Sequence, residues 1–266
     1  MNFDNKVIIV TGASEGIGRA VCHALSAWSV KLVIAARNEE RLLSLQQELS
    51  STKADVLPIT TDVTDQQQCT ALIDKTIAHF GQLDILINNA GMTMWSSFEE
   101  LEDLNVFQRL YDINVMSCVY CTKAAIPHLK KTKGHIVGVS SVAGLTGVPT
   151  RTAYSASKHA MIGFFDALRI ELQDDDISIS VICPDFVVSE IHKRAIGKDG
   201  GALGNSPMKE SKIMSTETCA TLMLEAIAKK QRLAVLSNRG KAGRWLKLIW
   251  PSLIDKLAKK AISQKH

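Results

Sequence analysis

Short apolar runs alternate with helical patterns along almost the whole chain, and this alternation constrains the fold more than any other feature. The runs are rich in Val, Ile and Leu, as buried parallel strands are. Strands are predicted at 6–11, 31–36, 54–60, 83–88, 134–141, 177–183 and 232–236, and helices at 18–28, 38–51, 65–80, 99–113, 115–131, from 151 and at 216–229. The order predicts an α/β fold in which a doubly wound parallel sheet has helices on both faces.

A glycine-rich turn follows the first strand at once. Its sequence, Thr11-Gly-Ala-Ser-Glu-Gly-Ile-Gly18, leads directly into the first helix. Glycine lets the backbone turn tightly and approach a ligand, and a helix N-terminus presents free N–H groups to an anion. The spacing differs from the Gly-x-Gly-x-x-Gly of the commonest dinucleotide fold. We favour the binding of a nucleotide pyrophosphate at this turn over a plain turn.

The end of the second strand bears on which nucleotide is bound. An acidic residue near this position accepts hydrogen bonds from the adenosine ribose, whereas an arginine accommodates a 2′-phosphate. Here Ala36 is followed by Arg37, and no acid is present. A guanidinium binds phosphate through paired hydrogen bonds. The sequence therefore favours NADP(H) over NAD(H), with Arg19 as a second candidate contact; the alternative is that Arg37 ends the strand and faces water.

Polar or small residues also follow the third and fourth strands. Asp62 leaves the third strand, where its carboxylate would accept a hydrogen bond from an adenine amino group, and Thr64 or Asp65 would cap the next helix. After the fourth strand, the segment Asn88-Asn-Ala-Gly91 is small and polar. Such a segment lets a cofactor lie against the backbone.

Tyr154 and Lys158 lie four residues apart on a predicted helix, so their side chains share one face. A cation beside a phenol stabilises the phenolate, which makes Tyr154 a candidate general acid or base near neutral pH. Ser140 and Ser141 end the preceding strand, where side chains of open α/β sheets project into the ligand crevice. A hydroxyl there would hold a carbonyl oxygen while the tyrosine donates a proton. A Tyr-x-x-x-Lys pattern on its own is more often a polar helix start with both side chains in solvent. The surrounding motifs favour the catalytic interpretation.

These motifs together resemble the short-chain dehydrogenase/reductase family over residues 5–236. The matching features, in order, are Thr11-Gly12-x-x-x-Gly16-x-Gly18, Asn88-Asn89-Ala90-Gly91, Asn114, Ser141 thirteen residues before Tyr154, and Tyr154-x-x-x-Lys158. The resemblance implies a Rossmann-type sheet of seven strands in the order 3-2-1-4-5-6-7.

The resemblance also implies roles for the residues. A proton would pass from Tyr154 through a ribose hydroxyl and Lys158 to a water held by Asn114, while Ser141 polarises the substrate carbonyl. The residues that it places at the cofactor are Gly12, Ser14, Glu15, Gly16, Ile17, Gly18, Arg37, Asp62, Val63, Asn89, Ala90, Gly91, Tyr154, Lys158, Pro184, Val187 and Ser189.

Three positions depart from the family pattern. Pro184 is followed by Asp185 where the family has glycine, which would add bulk and negative charge near the nicotinamide. Ser189 stands where a threonine usually contacts the carboxamide, and it keeps the hydroxyl. Glu15 stands where some NADP-using relatives carry a base, which leaves Arg37 as the main argument for the phosphate.

Composition and cysteine use fit a soluble α/β protein. The 266 residues are 46% hydrophobic and 22% charged, and no run of 18 apolar residues occurs, so we expect no membrane-spanning helix. The N-terminus enters a strand at once and leaves no room for a targeting signal, which predicts a cytoplasmic protein. Six cysteines without a framework spacing predict reduced core thiols. The pair Cys118 and Cys121 would otherwise be a redox pair or half a zinc site; we expect no metal.

The segments after the sixth strand divide the chain. Residues 186–215 have no steady period and several glycines, which predicts a mobile lid over the substrate within a catalytic domain at 1–238. Residues 239–266 hold eight of the 31 basic residues and one of the 27 acidic ones, so the remainder has 23 basic and 26 acidic residues. Nothing in this body suggests nucleic-acid binding. The tail is either an interfacial helix drawn to anionic lipid, which would make the protein membrane-peripheral, or a helix packed on the body or a neighbouring subunit.

The sequence thus predicts an NADP(H)-dependent oxidoreductase that interconverts a carbonyl and an alcohol, with Tyr154 as general acid or base. The alternative is a catalytically silent nucleotide-binding or scaffold protein of the same fold, which only Asp185 favours. The family resemblance implies a homodimer or homotetramer. The substrate is expected to be an apolar small molecule, and the residues expected to line its pocket are Met92, Met94, Trp95 and Phe186.

Overall fold

A single parallel sheet organises the molecule. The computed structural model describes residues 1–205 and 213–263, with the backbone alone for 261–263. Within these ranges the sheet has seven strands, paired in the order β3-β2-β1-β4-β5-β6-β7, which confirms the predicted order. The strands are β1 (Val7–Thr11), β2 (Lys31–Ala36), β3 (Asp55–Thr60), β4 (Ile85–Asn88), β5 (His135–Val139), β6 (Ser178–Cys183) and β7 (Leu233–Val235).

Helices cover both faces of the sheet, so each strand buries both of its faces. In β1, Ile8 and Val10 point into the core on one face of the sheet, while Val7 and Ile9 point into the core on the other face. All four side chains are fully buried. The helices in the described residues are α1 (Gly16–Leu25), α2 (Glu39–Leu49), α3 (Gln66–Phe80), α4 (Asn105–Tyr111), α5 (Ser117–Thr132), α6 (Thr152–Glu171), α7 (Thr216–Ala228), α8 (Asn238–Ile249) and α9 (Pro251–Ser263).

The helix predicted over 99–113 was wrong at its start and at its end. The helix begins only at Asn105. The Asp103 carboxylate accepts the Asn105 N–H (2.9 Å), as a side chain before the first helical residue does, so the residues before it form a loop. At the other end no break separates the two predicted helices. A π-helical turn over Asp112–Met116 joins α4 to α5, and Asn114 lies inside it.

The cysteines are buried and free, as predicted. Burial raises the pKa of Cys118 to about 11, which keeps this thiol protonated and inert at neutral pH. The described residues contain no cluster of three or more His, Cys, Asp or Glu side chains placed to hold a metal ion. Across the same ranges, none of the helices combines the length and the apolarity that a membrane crossing requires.

The predicted lid lies against the loop after β4. Ile196 donates its N–H to Thr93 O (3.0 Å) and accepts from Trp95 N–H (2.8 Å), so this part of the segment is fixed by main-chain bonds. The part at 206–212, with Pro207, Lys209 and Glu210, lies outside the described residues. The motion of the lid therefore stays a prediction.

Two helices form the tail. α8 ends at Ile249, and Pro251 is the first residue of α9. A helix tolerates proline at this position, because the N–H that proline lacks would have no partner there. Gly240 of α8 lies beside Val142 and Val235, and Lys247 donates to Leu145 O (2.8 Å). The first tail helix is thus attached to the body, whereas a division at residue 238 stays a prediction.

Candidate active site

The glycine-rich turn forms a cradle at the carboxyl end of β1. Gly12 has φ +65°, and a Cβ there would lie 2.8 Å from Ala90 Cα. A Cβ on Gly18 would lie 2.2 Å from Gly12 O, so neither position can hold a side chain. Glu15 precedes α1 in an extended conformation, and its side chain makes no cap bond, which leaves the first N–H groups of α1 free. Free N–H groups beside closely approachable backbone fit a pyrophosphate.

The segment after β4 is tied to this cradle. Thr11 Oγ1 accepts the N–H groups of Asn89 (3.0 Å) and Ala90 (3.1 Å). In return, Asn89 Nδ2 donates to Thr11 O (2.9 Å). These bonds hold the ends of two adjacent strands together, which sets the floor of a crevice.

The crevice has a volume of about 690 Å³ and runs along the carboxyl ends of the strands. This is where open α/β sheets bind ligands. The predicted cofactor residues that line it are Gly12, Ser14, Glu15, Gly16, Ile17, Arg37, Val63, Asn89, Ala90, Gly91, Tyr154, Lys158 and Ser189. Its dimensions and its free N–H groups fit a dinucleotide, of which Arg37 would meet the adenosine end.

Four predicted cofactor residues lie outside this lining. Gly18 packs beneath the cradle, while Pro184 and Val187 line a smaller pocket next to the crevice. The Asp62 carboxylate accepts the N–H (3.0 Å) and the hydroxyl (2.7 Å) of Thr64 and so forms a turn with it. An adenine contact of Asp62 stays a prediction. Thr64 and Asp65 were the two predicted N-caps of α3. Asp65 is the N-cap, since its carboxylate accepts the N–H groups of Gln67 and Gln68.

Three arginines, Arg37, Arg41 and Arg194, line the end of the crevice beside β2. Arg37 is exposed there, and no hydrogen bond or ion pair joins its guanidinium to any residue in the described ranges. Arg41 and Arg194 each approach one oxygen of Glu15, both at 2.5 Å. The carboxylate of Glu15, which stands where some relatives carry a base, is thus paired with two arginines. Sequence reasoning missed Arg41, although it lies one helical turn beyond Arg37, and it missed Arg194. Arg19, the second candidate, is paired with Glu48 on α2 and lies outside the lining.

Tyr154 and Lys158 face the crevice from the first turns of α6. Lys158 Nζ lies 5.8 Å from the centre of the Tyr154 ring and donates to Val139 O (2.8 Å). Both residues are buried, with 9% and 4% of their surfaces exposed. A fixed ammonium is therefore next to the phenol, as the four-residue spacing predicted.

Asn114 is fully buried behind this pair. Its Oδ1 accepts the Met92 N–H (2.9 Å), and its Nδ2 donates to Met92 O (3.0 Å) and to Ser157 Oγ (2.9 Å). Ser157 in turn donates to Tyr154 O (2.9 Å). The side chain of Asn114 thus connects the loop after β4 to α6, and the π-helical turn that carries it is of a kind often found at functional sites.

A second pocket of about 80 Å³ adjoins the crevice, and Tyr154 and Ser140 line both. Ser141 lines this pocket, where its Oγ accepts the Ala143 N–H (3.2 Å) at the start of a short 3₁₀ turn. Ser140 Oγ donates instead to Lys158 O (3.1 Å). The Ser140 hydroxyl is thus bonded to α6, whereas the Ser141 hydroxyl has no bond to α6 and belongs to a residue that lines the pocket.

The predicted substrate residues divide among different surroundings. Phe186 lines the small pocket and Met92 lines the crevice. Met94 was wrongly predicted to line the pocket, since it is fully buried in a small core cluster with Val106 and Leu110. Trp95 packs against Arg151, a pocket residue that sequence reasoning missed.

Asp185 does not present a free charge to the pocket. Its carboxylate accepts from Arg239 Nη2 (2.6 Å) and Nε (3.1 Å) and from Ser237 Oγ (2.8 Å). Burial alone would raise the pKa of Asp185, but these bonds hold the pKa below its ordinary value. The first turn of α8 thus neutralises the departure that the sequence shows after Pro184.

Known proteins share both the sequence pattern and the fold. A family model described as short chain dehydrogenase matches residues 6–199. The 11-beta-hydroxysteroid dehydrogenase 1A of Arabidopsis thaliana is 34% identical over 263 residues, which cover 96% of this chain and 74% of that protein.

Two solved structures superpose on this chain. A short chain dehydrogenase/reductase from Burkholderia phymatum in complex with NAD has a TM-score of 0.82 at 27% identity, over 95% of this chain and 96% of that one. An alcohol dehydrogenase from the archaeon Thermococcus sibiricus complexed with 5-hydroxy-NADP shares the fold, with a TM-score of 0.76 at 24% identity over 87% and 95% of the two chains.

Proposed function

The chain belongs to the short-chain dehydrogenase/reductase family, and from this premise we propose that it is an NADP(H)-dependent oxidoreductase that interconverts a ketone or aldehyde and an alcohol. The observation that carries the proposal is the meeting of Tyr154, Lys158 and Ser141 where the crevice joins the small pocket. A nucleotide-binding protein without catalysis would have no need of this set.

The crevice residues are suited to hold the nucleotide. The cradle of Gly12 and the free N–H groups of α1 would bind the pyrophosphate, and Arg37 would bind the 2′-phosphate. Asn89 and Gly91 would border the nicotinamide half. When bound, NADPH supplies a hydride for the carbonyl carbon, and NADP⁺ accepts one in the reverse direction.

The side chains at the junction provide for the proton. Ser141 Oγ would hold the carbonyl oxygen in the small pocket, and Tyr154 would give its phenolic proton to that oxygen as an alkoxide forms. The ammonium of Lys158 would stabilise the phenolate left behind. Asn114 keeps the loop after β4 and α6 in place around this pair.

We propose an apolar carbonyl compound as the substrate. Val142, Val148, Phe186 and Ile191 supply apolar surface to the small pocket. The similarity to a protein named 11-beta-hydroxysteroid dehydrogenase makes oxosteroids the first candidates to assay. At 34% identity the pocket residues of the two proteins can differ, so the substrate of this chain is determined by its own pocket residues.

A screen of nucleotide oxidation tests the proposal. Ketones and aldehydes of graded size and polarity, including 11-oxosteroids, are mixed with the protein and NADPH, and absorbance of the reduced nucleotide is followed, with NADH in parallel. We expect turnover with at least one carbonyl compound and faster turnover with NADPH than with NADH. Tight NADPH binding without turnover of any compound would contradict the proposal and support the silent protein instead.

The feature that favours a silent scaffold has another explanation. Asp185 was expected to disturb the nicotinamide site, yet Arg239 and Ser237 hold its carboxylate. Asp185 therefore gives no support to a catalytically silent scaffold protein.

We further propose a homodimer or homotetramer in the cytoplasm, with peripheral membrane contact through the tail. Support for the contact comes from exposed apolar side chains on α8 and at its end, among which Ile249 is 81% and Trp250 is 59% exposed. Light scattering on the purified protein tests the oligomeric state, and fractionation of cells tests the location.

A further inference from the structure

Arg151 is a buried charge that the proposed reaction does not use. It is the N-cap residue of α6, three positions before Tyr154, and only 5% of its surface is exposed. Its N–H donates to Val148 O (3.2 Å), and its carbonyl accepts the Ser155 N–H (2.8 Å). The residue is therefore fixed relative to the helix that carries Tyr154. Burial lowers the pKa of the Arg151 guanidinium to about 10, so the group stays charged at neutral pH.

The guanidinium has aromatic neighbours, but two of its nitrogens lack an acceptor among the described residues. Its Cζ lies 4.5 Å from the ring centre of Trp95, 4.9 Å from that of Phe186 and 5.8 Å from that of Tyr154. Its Nε and Nη2 are shielded from solvent, and neither makes a hydrogen bond to any residue in the described ranges. Aromatic faces attract a cation, but they do not satisfy in-plane N–H donors. Nε and Nη2 lie on one edge of the guanidinium, which is an edge that binds a carboxylate through two parallel bonds.

The described residues that line the pocket offer no carboxylate oxygen that is free to bind this edge. Asp185 is the sole carboxylate among the described residues that line the small pocket, and its two oxygens are engaged by Arg239, Ser237 and the Phe186 N–H. A buried charge without a partner is costly for a folded protein, and such groups are concentrated at functional sites. The positive charge of Arg151 is thus left to complement a negative group that comes from outside.

We infer that the substrate carries an anionic group, a carboxylate in the first place, which binds to Arg151 in the pocket that also contains Ser141 and Tyr154. The inference rests on the proposed function and adds an anionic group to the otherwise apolar substrate proposed there. With about 80 Å³, the pocket is smaller than the roughly 300–1,000 Å³ of common ligand sites, so it suits a compact anionic group near the carbonyl. The substrate is therefore an oxo acid, or the matching hydroxy acid, whose apolar remainder extends away from the arginine.

Pairs of acids and esters test this inference. Benzoylformate and benzoylpropionate differ in the spacing between carbonyl and carboxylate, and each is assayed with NADPH beside its methyl ester. We expect kcat/KM for the better acid to exceed that of its ester by about 10- to 100-fold, the ratio that a charge-assisted hydrogen bond provides. The matching phosphonate and sulfonate show whether Arg151 accepts other anionic oxygens. Equal kcat/KM values for acids and esters would overturn the inference and leave the proposed function standing.

Variants of Arg151 assign the preference to this residue. Arg151→Met keeps the length without the charge and is expected to abolish the acid-to-ester ratio, whereas Arg151→Lys should keep part of it. Arg232→Met is the matched control, because Arg232 lies on the exposed surface away from the pocket, and its ratio should equal that of the unmodified protein. Thermal unfolding checks that each variant is folded. A ratio that survives Arg151→Met in folded protein would overturn the inference.

Binding without turnover separates the two proposals. Calorimetric titration of benzoylpropionate into the unmodified protein and into Arg151→Met measures carboxylate binding whether or not any ketone is reduced. Binding that depends on Arg151 in the absence of turnover would retain the anion site and reject the oxidoreductase. Equal binding to both proteins, or none to either, would reject the anion site.

Discussion

At the residue scale, the proposed preference for NADP(H) depends on three arginines at the end of the crevice beside β2. Arg37 is exposed there, and the described residues provide no partner for it, whereas Arg41 and Arg194 both contact Glu15. A bound 2′-phosphate would find one guanidinium without a partner among the described residues and two that already pair with Glu15. Arg37 should therefore contribute most to the preference for the phosphate.

Replacing Arg37 with Asp is expected to lower the ratio of kcat/KM for NADPH over NADH by about 10- to 100-fold. The physical reason is the loss of a charge-assisted bond of about 1.5–3 kcal/mol and the added repulsion of a carboxylate. Steady-state kinetics with both nucleotides measures the ratio. Arg232→Asp makes the same charge change on the surface and should leave it unaltered; an unaltered ratio in Arg37→Asp as well would show that Arg37 does not read the phosphate.

Asp185 and Arg239 form a second residue-level test. Arg239 and Arg232 are equally exposed, at 68% and 67%, but the partner of Arg239 is 8% exposed and that of Arg232, Asp166, is 48% exposed. Arg239→Leu leaves a buried carboxylate with fewer donors, so we expect a loss of about 1–3 kcal/mol in the free energy of unfolding at pH 7. Arg232→Leu should lose less than about 1 kcal/mol. Urea unfolding of both variants measures the difference.

The pH dependence of that loss has a definite sign. Bonds to Arg239 and Ser237 hold the pKa of Asp185 below its ordinary value, against the effect of burial. Their stabilisation is complete above the unfolded pKa of about 3.9 and is lost as the pH falls through the lower folded value. The deficit of Arg239→Leu should therefore shrink in strong acid. A deficit that grows on acidification would contradict the assignment.

Residues whose role depends on a tertiary neighbour were the ones that the sequence did not reveal. The pairing of Tyr154 with Lys158 follows from their spacing along one helix, whereas the choice of Ser141 over Ser140 came from the resemblance to the family. Arg151 and Arg194 look like ordinary polar residues of a helix start and a loop until Trp95 and Glu15 are seen beside them. Their environments are produced by packing, which no local pattern encodes.

At the scale of elements, the helical stretch around Asn114 shows the same limit. The sequence placed a break there, because asparagine is a modest helix former. In the structure the chain stays helical through a π-helical turn over Asp112–Met116, and the Asn114 side chain bonds to Met92 instead of capping a helix end. The π turn spans only five residues, which is too short for the apolar pattern to distinguish it from a break between two helices.

The tail offers a test of how its second half is used. Trp250 and Phe98 are both 59% exposed, but only Trp250 lies between the basic helices α8 and α9. If the tail binds anionic lipid, Trp250→Ser should reduce pelleting with anionic vesicles at low salt, since an aromatic anchor is removed. Phe98→Ser is the control and should pellet as the unmodified protein does.

Failure of the unmodified protein to pellet at low salt would contradict lipid binding and favour packing of the tail on the body or a neighbouring subunit. Equal pelleting in 1 M salt, where surface charge is screened within about 3 Å, would show that the basic residues of the tail do not drive the binding. Because Arg239 and Lys247 attach α8 to the body, a deletion for this purpose should start after Trp250.

At the scale of the whole molecule, the parallel sheet was predictable and the pocket was not. Alternation of apolar runs and helical patterns implies helices on both faces of the sheet. It also places the carboxyl ends of all the strands at one edge of the sheet, where ligands bind. The strand order came from the resemblance of motifs such as Tyr154-x-x-x-Lys158 and was confirmed. Pocket shape depends on loops at 186–205 and on α8, whose positions follow from bonds such as that of Asp185 with Arg239.

The most direct test of the proposed chemistry is the turnover of Tyr154→Phe with the best carbonyl substrate found in the screen, beside the affinity of the same variant for NADPH. The substitution removes one oxygen and keeps the ring that lines the crevice. We expect NADPH affinity within about threefold of the unmodified protein and a fall in kcat of at least about 100-fold, the contribution of a positioned general acid. Turnover close to that of the unmodified protein would contradict the assignment of Tyr154 as the proton donor.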